Sequence, residues 1–227
     1  MITFKDKLLK GKKILVTAGP VWVKIDPVRI LTNIAGGSLG YVISTIAASM
    51  GADVTLLLGP GKVRPTGKEK FNIVPFKFYD ELYKYLETEI STKKYDSVFH
   101  SCAVPDWMPE KVSEEKIKSG KGKARWKPVF VPTEKIVDKF KIWDSNIFVV
   151  KFKFEAGKKK EELLKIAYDS LKHSNADLMM ANRREDVSDD PTKHIGYVIT
   201  PNKKIFRYVS KDNIAENLLR MYKTLRV

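Results

Sequence analysis

Chemistry in this chain concentrates in the stretch from Asp26 to Gly40. A cation, Arg29, a carboxamide, Asn33, and the glycines Gly36, Gly37 and Gly40 lie between two apolar runs, Ile14–Thr17 and Tyr41–Met50. The first run reads as a buried strand and the second as a helix. So long a connection between them is uncommon in a compact α/β unit and is usually functional. Glycines opening a helix let a ligand approach the backbone. The unpaired N–H groups there, with the helix dipole, favour an anion. The plainer reading is a helix cap with two turns, Gly19-Pro20 and Asp26-Pro27. The other residues able to do chemistry are Asp106, Lys116, Phe152, Glu155 and Asn182. Several familiar patterns are missing. Gly-x-Gly-x-x-Gly does not follow the first strand, and Gly-x-x-x-x-Gly-Lys-Ser/Thr does not occur. Gly-x-Ser-x-Gly is absent, and three scattered histidines with one cysteine make no zinc set.

The elements that must position these residues alternate along the chain. Strands are expected at Lys13–Thr17, Asp53–Leu58, Phe71–Phe76, Tyr95–Ser101, Asn146–Phe152 and Ala176–Met180. Helices are expected at 37–50, 80–92 and 158–172, and residues 1–12 read as a short polar helix or arm. This βαβ alternation predicts a Rossmann-like α/β fold: three layers around a doubly wound, mostly parallel sheet. In such sheets the ligand crevice lies outside the carboxyl ends of the strands. The loops after Thr17 and after Ser101 then face one shared site. Residues 107–130, charged and punctuated by glycine, read as a protruding flap, with Val129–Val131 as its returning strand. Thr133 is the expected N-cap of a helix from Glu134 to Phe140, and residues 183–194 read as poorly ordered. Gly196–Thr200 and Lys204–Tyr208 form a C-terminal hairpin, and Ser210 caps a closing helix over Lys211–Leu225. No repeat or long linker divides residues 1–227, so a single domain is expected.

Composition narrows the classes. Lys and Arg outnumber Asp and Glu to give a net charge of +15, which suits an anionic partner. No run of 18 apolar residues exists to span a membrane, and the N-terminus has no signal-peptide core. One cysteine, Cys102, forms no intrachain disulfide and suits a reducing cytoplasm.

Taken in order, several motifs resemble those of the phosphopantothenate–cysteine ligases. They are Thr17-Ala-Gly19, Asp26-Pro-Val-Arg29, Asn33 with Gly37-Ser-Leu-Gly40, Val98-Phe-His-Ser-Cys-Ala-Val-Pro-Asp106, Glu115-Lys-Ile-Lys118, Phe152-Lys-Phe-Glu155 and Ala176-Asp-Leu-Met-Met-Ala-Asn182. The match runs over nearly the whole chain and resembles the stand-alone form, without the flavin-binding decarboxylase half; no flavin is expected. The resemblance implies a two-step ligase of coenzyme A synthesis. CTP or ATP, with Mg²⁺, activates 4′-phosphopantothenate as an acyl-nucleotide, and cysteine then forms the amide. It implies catalytic roles for Asn33, Arg29 and Lys116, with Asn33 an oxyanion donor and Lys116 a mobile charge over the phosphates. Nucleotide contacts are implied at Gly37, Gly40, His100, Ser101, Cys102, Asp106, Lys116, Glu134, Lys135, Ile136, Val137, Phe152 and Asn182. Asn33 and Ala103 are implied at the acyl group. A homodimer is implied, with no membrane and no nucleic acid as partner.

The chain departs from that pattern where Ser38 replaces a lysine and where Ser170 and Ser174 replace two more before Ala176-Asp177. CTP and ATP therefore both stay open. Two other classes compete. An NAD(P)-dependent oxidoreductase would want an acidic residue ending the second strand, but Leu58-Gly59 stands there. A nucleic-acid-binding flap would use Lys121, Lys123, Arg125 and Lys127 around Trp126, but no nucleic-acid fold pattern accompanies them. Taken singly, Phe152 is more often core than base platform, and Cys102 a small buried hydrophobe.

Overall fold

The computed structural model describes residues 7–118 and 126–226. Strands β1 (Lys13–Ala18), β4 (Asp53–Leu58), β5 (Asn72–Pro75), β6 (Ser97–His100), β9 (Phe148–Glu155) and β10 (Leu178–Arg183) pair in parallel. Strands β11 (Ile195–Ile199) and β12 (Ile205–Val209) add an antiparallel hairpin at one edge. The order across the sheet is β12-β11-β10-β9-β6-β1-β4-β5. The chain thus starts in the middle, winds outward through β4 and β5, then returns beside β1 through β6. This reversal, between β1 and β6, is the topological switch point of a doubly wound sheet.

The sequence dictates this layering through its apolar runs. A parallel strand covered on both faces must be apolar at successive positions. In β1, Ile14, Val16 and Ala18 enter one core with α1 (Ser38–Ser49) and α5 (Lys211–Leu225). Leu15 enters the other, with α2 (Tyr79–Ser91), α3 (Phe140–Trp143) and α4 (Lys160–His173). Ser210 caps α5 as expected, its Oγ accepting from the Asn213 N–H at 3.1 Å.

Four expectations need correction. Residues 7–12 form a turn rather than a polar arm, because Leu9 is fully buried and its N–H donates to the Met50 carbonyl at 2.9 Å. The connection from Gly19 to Gly37 is not two bare turns: β2 (Trp22–Lys24) and β3 (Ile30–Thr32) pair within it as an antiparallel hairpin. Thr133 caps no helix. Its backbone N–H still belongs to the flap ladder, donating to the Asp106 carbonyl at 2.9 Å, and the helical turn begins three residues later as a 3₁₀ segment, Ile136–Lys139. Residues 183–194 are held by a two-pronged Arg183–Asp186 pair, with both contacts at 2.9 Å, and by Asp190 accepting from the Thr192 N–H. Polar composition reads as disorder, but Asp186 and Asp190 each find partners within the segment, in Arg183 and in Thr192 and Lys193.

The expected flap is a hairpin of β7 (Trp107–Pro109) and β8 (Phe130–Pro132). Its tip, with Gly120, Lys121, Gly122, Lys123 and Arg125, lies outside the described residues. Among the described residues no helix is long and apolar enough to cross a membrane.

Candidate functional site

The loops after β1 and β6 are stitched into one crevice wall. The Ala103 N–H donates to the Gly19 carbonyl at 2.9 Å, and the Val21 N–H donates to the Ala103 carbonyl at 3.1 Å. Asn33 reaches across to this wall, its Nδ2 donating to the Val104 carbonyl at 3.1 Å. A carboxamide has two N–H bonds. With one fixed to Val104, the exposed Asn33 side chain is oriented and retains a second donor beside Ala103.

Arg29 is organised by Asp26, the residue that opens its own motif and had no role assigned from the sequence. Asp26 is 2% exposed and accepts from the Val28 and Arg29 N–H groups at 2.8 and 2.7 Å, and from Arg29 Nη1 at 2.5 Å. Its second oxygen also accepts from the Ile117 N–H at 3.2 Å, while Arg29 Nη1 donates to the Ile117 carbonyl at 3.1 Å. Burial pushes the Asp26 carboxyl up, but the Val28, Ile117 and Arg29 donors outweigh it and hold it below the usual carboxylate range. An aspartate accepting from residues two and three positions on is ordinary turn chemistry. The signal was present in Asp26-Pro-Val-Arg29; the cross-link to Ile117 was not. Lys116 adjoins this clip and is exposed. The Ser113 N–H adds a second tie, to the Ile25 carbonyl at 3.0 Å.

The crevice floor is polar but uncharged. His100 is 8% exposed, with Nδ1 3.1 Å from Thr17 Oγ1 and its ring edge-on to Phe140. Burial, helped by the Lys151 charge, pushes its pKa down to about 3, so the ring is neutral. Burial pushes the Cys102 thiol up to about 12 against the Thr17 hydrogen bond, so it stays protonated and is no nucleophile. Ser101 Oγ donates to the Thr17 carbonyl at 2.8 Å. Thr17, which opens the Thr17-Ala-Gly19 motif without a role assigned to it there, therefore ties the two strand ends together.

Two glycines have distinct reasons to be there. Gly37 is the N-cap of α1 at φ +82°, a left-handed conformation that L side chains rarely adopt. Gly40 faces inward: a Cβ there would lie 2.6 Å from both Ala18 Cβ and Ser101 Oγ. It lets α1 sit directly on β1 and β6, as a glycine does when a helix packs tightly on strands beneath a phosphate site.

Asp106 and Lys135 meet as an exposed ion pair at the flap root, beside the Glu134–Lys139 pair. The side chains of the remaining predicted contacts are placed as follows. Ile136 and Val137 are 1% and 6% exposed, so their side chains are core. Phe152 packs half-buried against the α1–α5 core. Asn182 is buried, its Nδ2 3.1 Å from His194 Nε2. Among the described residues no three acidic, histidine or cysteine side chains converge, so they offer no ready-made magnesium cage.

Over 179 residues the chain is 36% identical to the Coenzyme A biosynthesis bifunctional protein CoaBC of Thermococcus kodakarensis, covering 78% of this chain but 42% of that protein. The chain thus spans less than half the length of that curated relative. The DNA/Pantothenate Metabolism Flavoprotein from Streptococcus pneumoniae superposes with a TM-score of 0.83 at 26% identity, covering 95% of this chain and 100% of that one. A Cab2 mutant in complex with phosphopantothenate-cysteine shares the fold, with a TM-score of 0.74 at 16% identity over 94% of this chain and 87% of that one. The family model for the DNA/pantothenate metabolism flavoprotein C-terminal domain matches residues 9–225. With nearly its whole length inside that match, the chain belongs to the DNA/pantothenate metabolism flavoprotein C-terminal domain family.

Proposed function

We propose that the chain is a phosphopantothenate–cysteine ligase of coenzyme A synthesis. The observation that carries this reading is the meeting of Asn33, the Ala103–Val104 strand end and the Arg29–Asp26–Ile117 clip at the switch point. The family supports it, as do the relative named for coenzyme A biosynthesis and the fold neighbour holding phosphopantothenate-cysteine.

The mechanism follows from the chemistry of a carboxylate, a poor electrophile until one oxygen becomes part of a leaving group. In the first step a carboxylate oxygen of 4′-phosphopantothenate attacks the α-phosphorus of CTP or ATP. The bond to the β-phosphate oxygen breaks, and pyrophosphate leaves. Lys116 balances the charge on the phosphates, with Mg²⁺ expected alongside the triphosphate, while Arg29, held by Asp26, serves the acyl-nucleotide and its attack by cysteine. In the second step the cysteine amine attacks the acyl carbon. Charge builds on the carbonyl oxygen, and the second N–H of Asn33 donates to it. The carbon–oxygen bond to the nucleotide then breaks, the nucleoside monophosphate departs, and the amine loses a proton to solvent. The neutral floor of His100 and Cys102 adds no competing charge or nucleophile.

Purified protein supplied with 4′-phosphopantothenate, cysteine and either ATP or CTP should release pyrophosphate and form the amide. No pyrophosphate with either nucleotide would overturn the reading, and the preferred nucleotide identifies itself.

A further inference from the structure

The N-terminus of α1 is electrostatically incomplete. Its first turn has no acidic residue, and its N-cap, Gly37, has no side chain to accept from the free N–H groups. The positive end of the helix dipole is therefore uncompensated by its own segment. Lys211, the first residue of α5, brings an ammonium to this place, where its Nζ donates to Ser38 Oγ at 2.9 Å. No described carboxylate pairs with that ammonium, although Asp212 follows it in the same turn. Helix α5 begins one lysine side chain away, and its own start is capped by Ser210 and carries Asp212, so what it brings to α1 is the ammonium.

That arrangement is repulsive as it stands. An ammonium is stabilised at the C-terminal end of a helix and opposed at the N-terminal end. A neighbouring group is also incomplete. His194 is 5% exposed, its Nε2 is engaged with Asn182, and its Nδ1 has no described partner. Burial, then the Lys211 charge, pushes the His194 pKa down to about 4 against the pull of Asp186, so the ring brings no compensating charge. Asp186 is itself taken by Arg183. The site has donors and positive charge, and lacks an anion.

We propose that Lys211 is a phosphate-binding residue: with the first-turn N–H groups of α1 it holds a phosphate group of a substrate. Its assignment to a substrate rests on the ligase reading above. The two sources of such a group are the triphosphate of the nucleotide and the phosphomonoester of phosphopantothenate. Lys211 comes from the far end of the chain and lies in none of the motifs of the first loop. Ser38 supplies the hydroxyl that accepts from its ammonium and orients it.

Calorimetric titration of the full chain tests this with three ligands separately: inorganic pyrophosphate, the preferred nucleoside triphosphate with Mg²⁺, and 4′-phosphopantothenate. Lys211→Met should weaken one class of phosphate ligand about tenfold, as expected for losing one charge-assisted hydrogen bond, while Lys211→Arg stays close to the parent. Weaker pyrophosphate and nucleotide binding assigns the site to the triphosphate; weaker phosphopantothenate binding assigns it to the phosphomonoester. Should Lys211→Met fail to fold, Lys211→Gln keeps a donor to Ser38 without the charge and reads the same loss. Unchanged affinity for all three ligands in a folded neutral variant overturns the proposal, as does an equal loss in Lys211→Arg. Lys211-dependent pyrophosphate binding by a protein that forms no amide would uphold the site while removing the ligase reading.

Discussion

At the scale of single residues, orientation separates a functional side chain from one of the right type. Asn33 is exposed, yet it is aimed by its hydrogen bond to Val104, which leaves one donor for a developing oxyanion. Asn33→Asp removes both donors and adds a negative charge where charge must build. This variant should still release pyrophosphate but accumulate acyl-nucleotide; quench and mass spectrometry would detect the trapped intermediate. Product formation at the parent rate would remove Asn33 from the second step. Lys116 bears on the first step. Lys116→Gln should slow pyrophosphate release roughly a hundredfold, the scale of a deleted electrostatic donor. Its effect should greatly exceed that of Lys118→Gln on the same segment, and equal rates in the two variants would count against it.

At the scale of elements, the site is held by close contacts between segments distant in sequence. Helix α1 can lie on β1 and β6 only because Gly40 has no side chain. Two effects compete in Gly40→Ala. Helix propensity favours alanine by about 1 kcal/mol. Overpacking against Ala18 and Ser101 costs about 1–3 kcal/mol, and a methyl group on a strand cannot swing away. The clash should win, with a lower denaturant midpoint and weaker nucleotide binding; a more stable variant would show that the helix rides higher than described. The flap root is governed the same way. Asp26 fastens Ile117 to the β2–β3 hairpin, so the backbone beside Lys116 is anchored on one side whatever the tip does.

For the whole molecule, buried histidines set the response to acid. The folded-state pKa values of His100 and His194 are lowered, to about 3 and about 4. The unfolded chain binds protons at these two sites from about pH 6.5 downward, whereas the folded chain does not until pH 4 or below. Stability should therefore be complete above pH 6.5 and fall as pH drops toward 4, by several kcal/mol on the order of the summed shifts. Asp26, held below its usual range, adds a further loss at still lower pH. Scanning calorimetry across pH 4–8 should show this fall, and His100→Gln should flatten it; a flat parent profile would contradict the neutral floor. Assembly is the second property at this scale. Trp107, Trp126 and Val129 are 53%, 51% and 62% exposed along the flap, an apolar surface that a second copy of the chain could cover. A dimer is expected by light scattering at micromolar concentration, and a monomer there would remove that expectation.

The sequence by itself determined the layers and most of their order. Apolar runs such as Ile14–Val16 and Leu56–Leu58 can be buried on both faces only in a covered parallel sheet, and that consequence is local. The same holds for Ser210 as a cap and for a glycine at position 37, because caps and positive φ act within a few residues. Tertiary structure decided which polar groups meet. The contacts of Asn33 with Val104, Asp26 with Ile117 and Lys211 with Ser38 join residues 71, 91 and 173 positions apart. It also decided what the side chains of other motif residues touch: Ile136 and Val137 the core, Phe152 the α1–α5 core, and Asn182 His194. Periodicity and propensity constrain neighbours along the chain, whereas a hydrogen bond across the crevice depends on how closely α1 settles on the sheet.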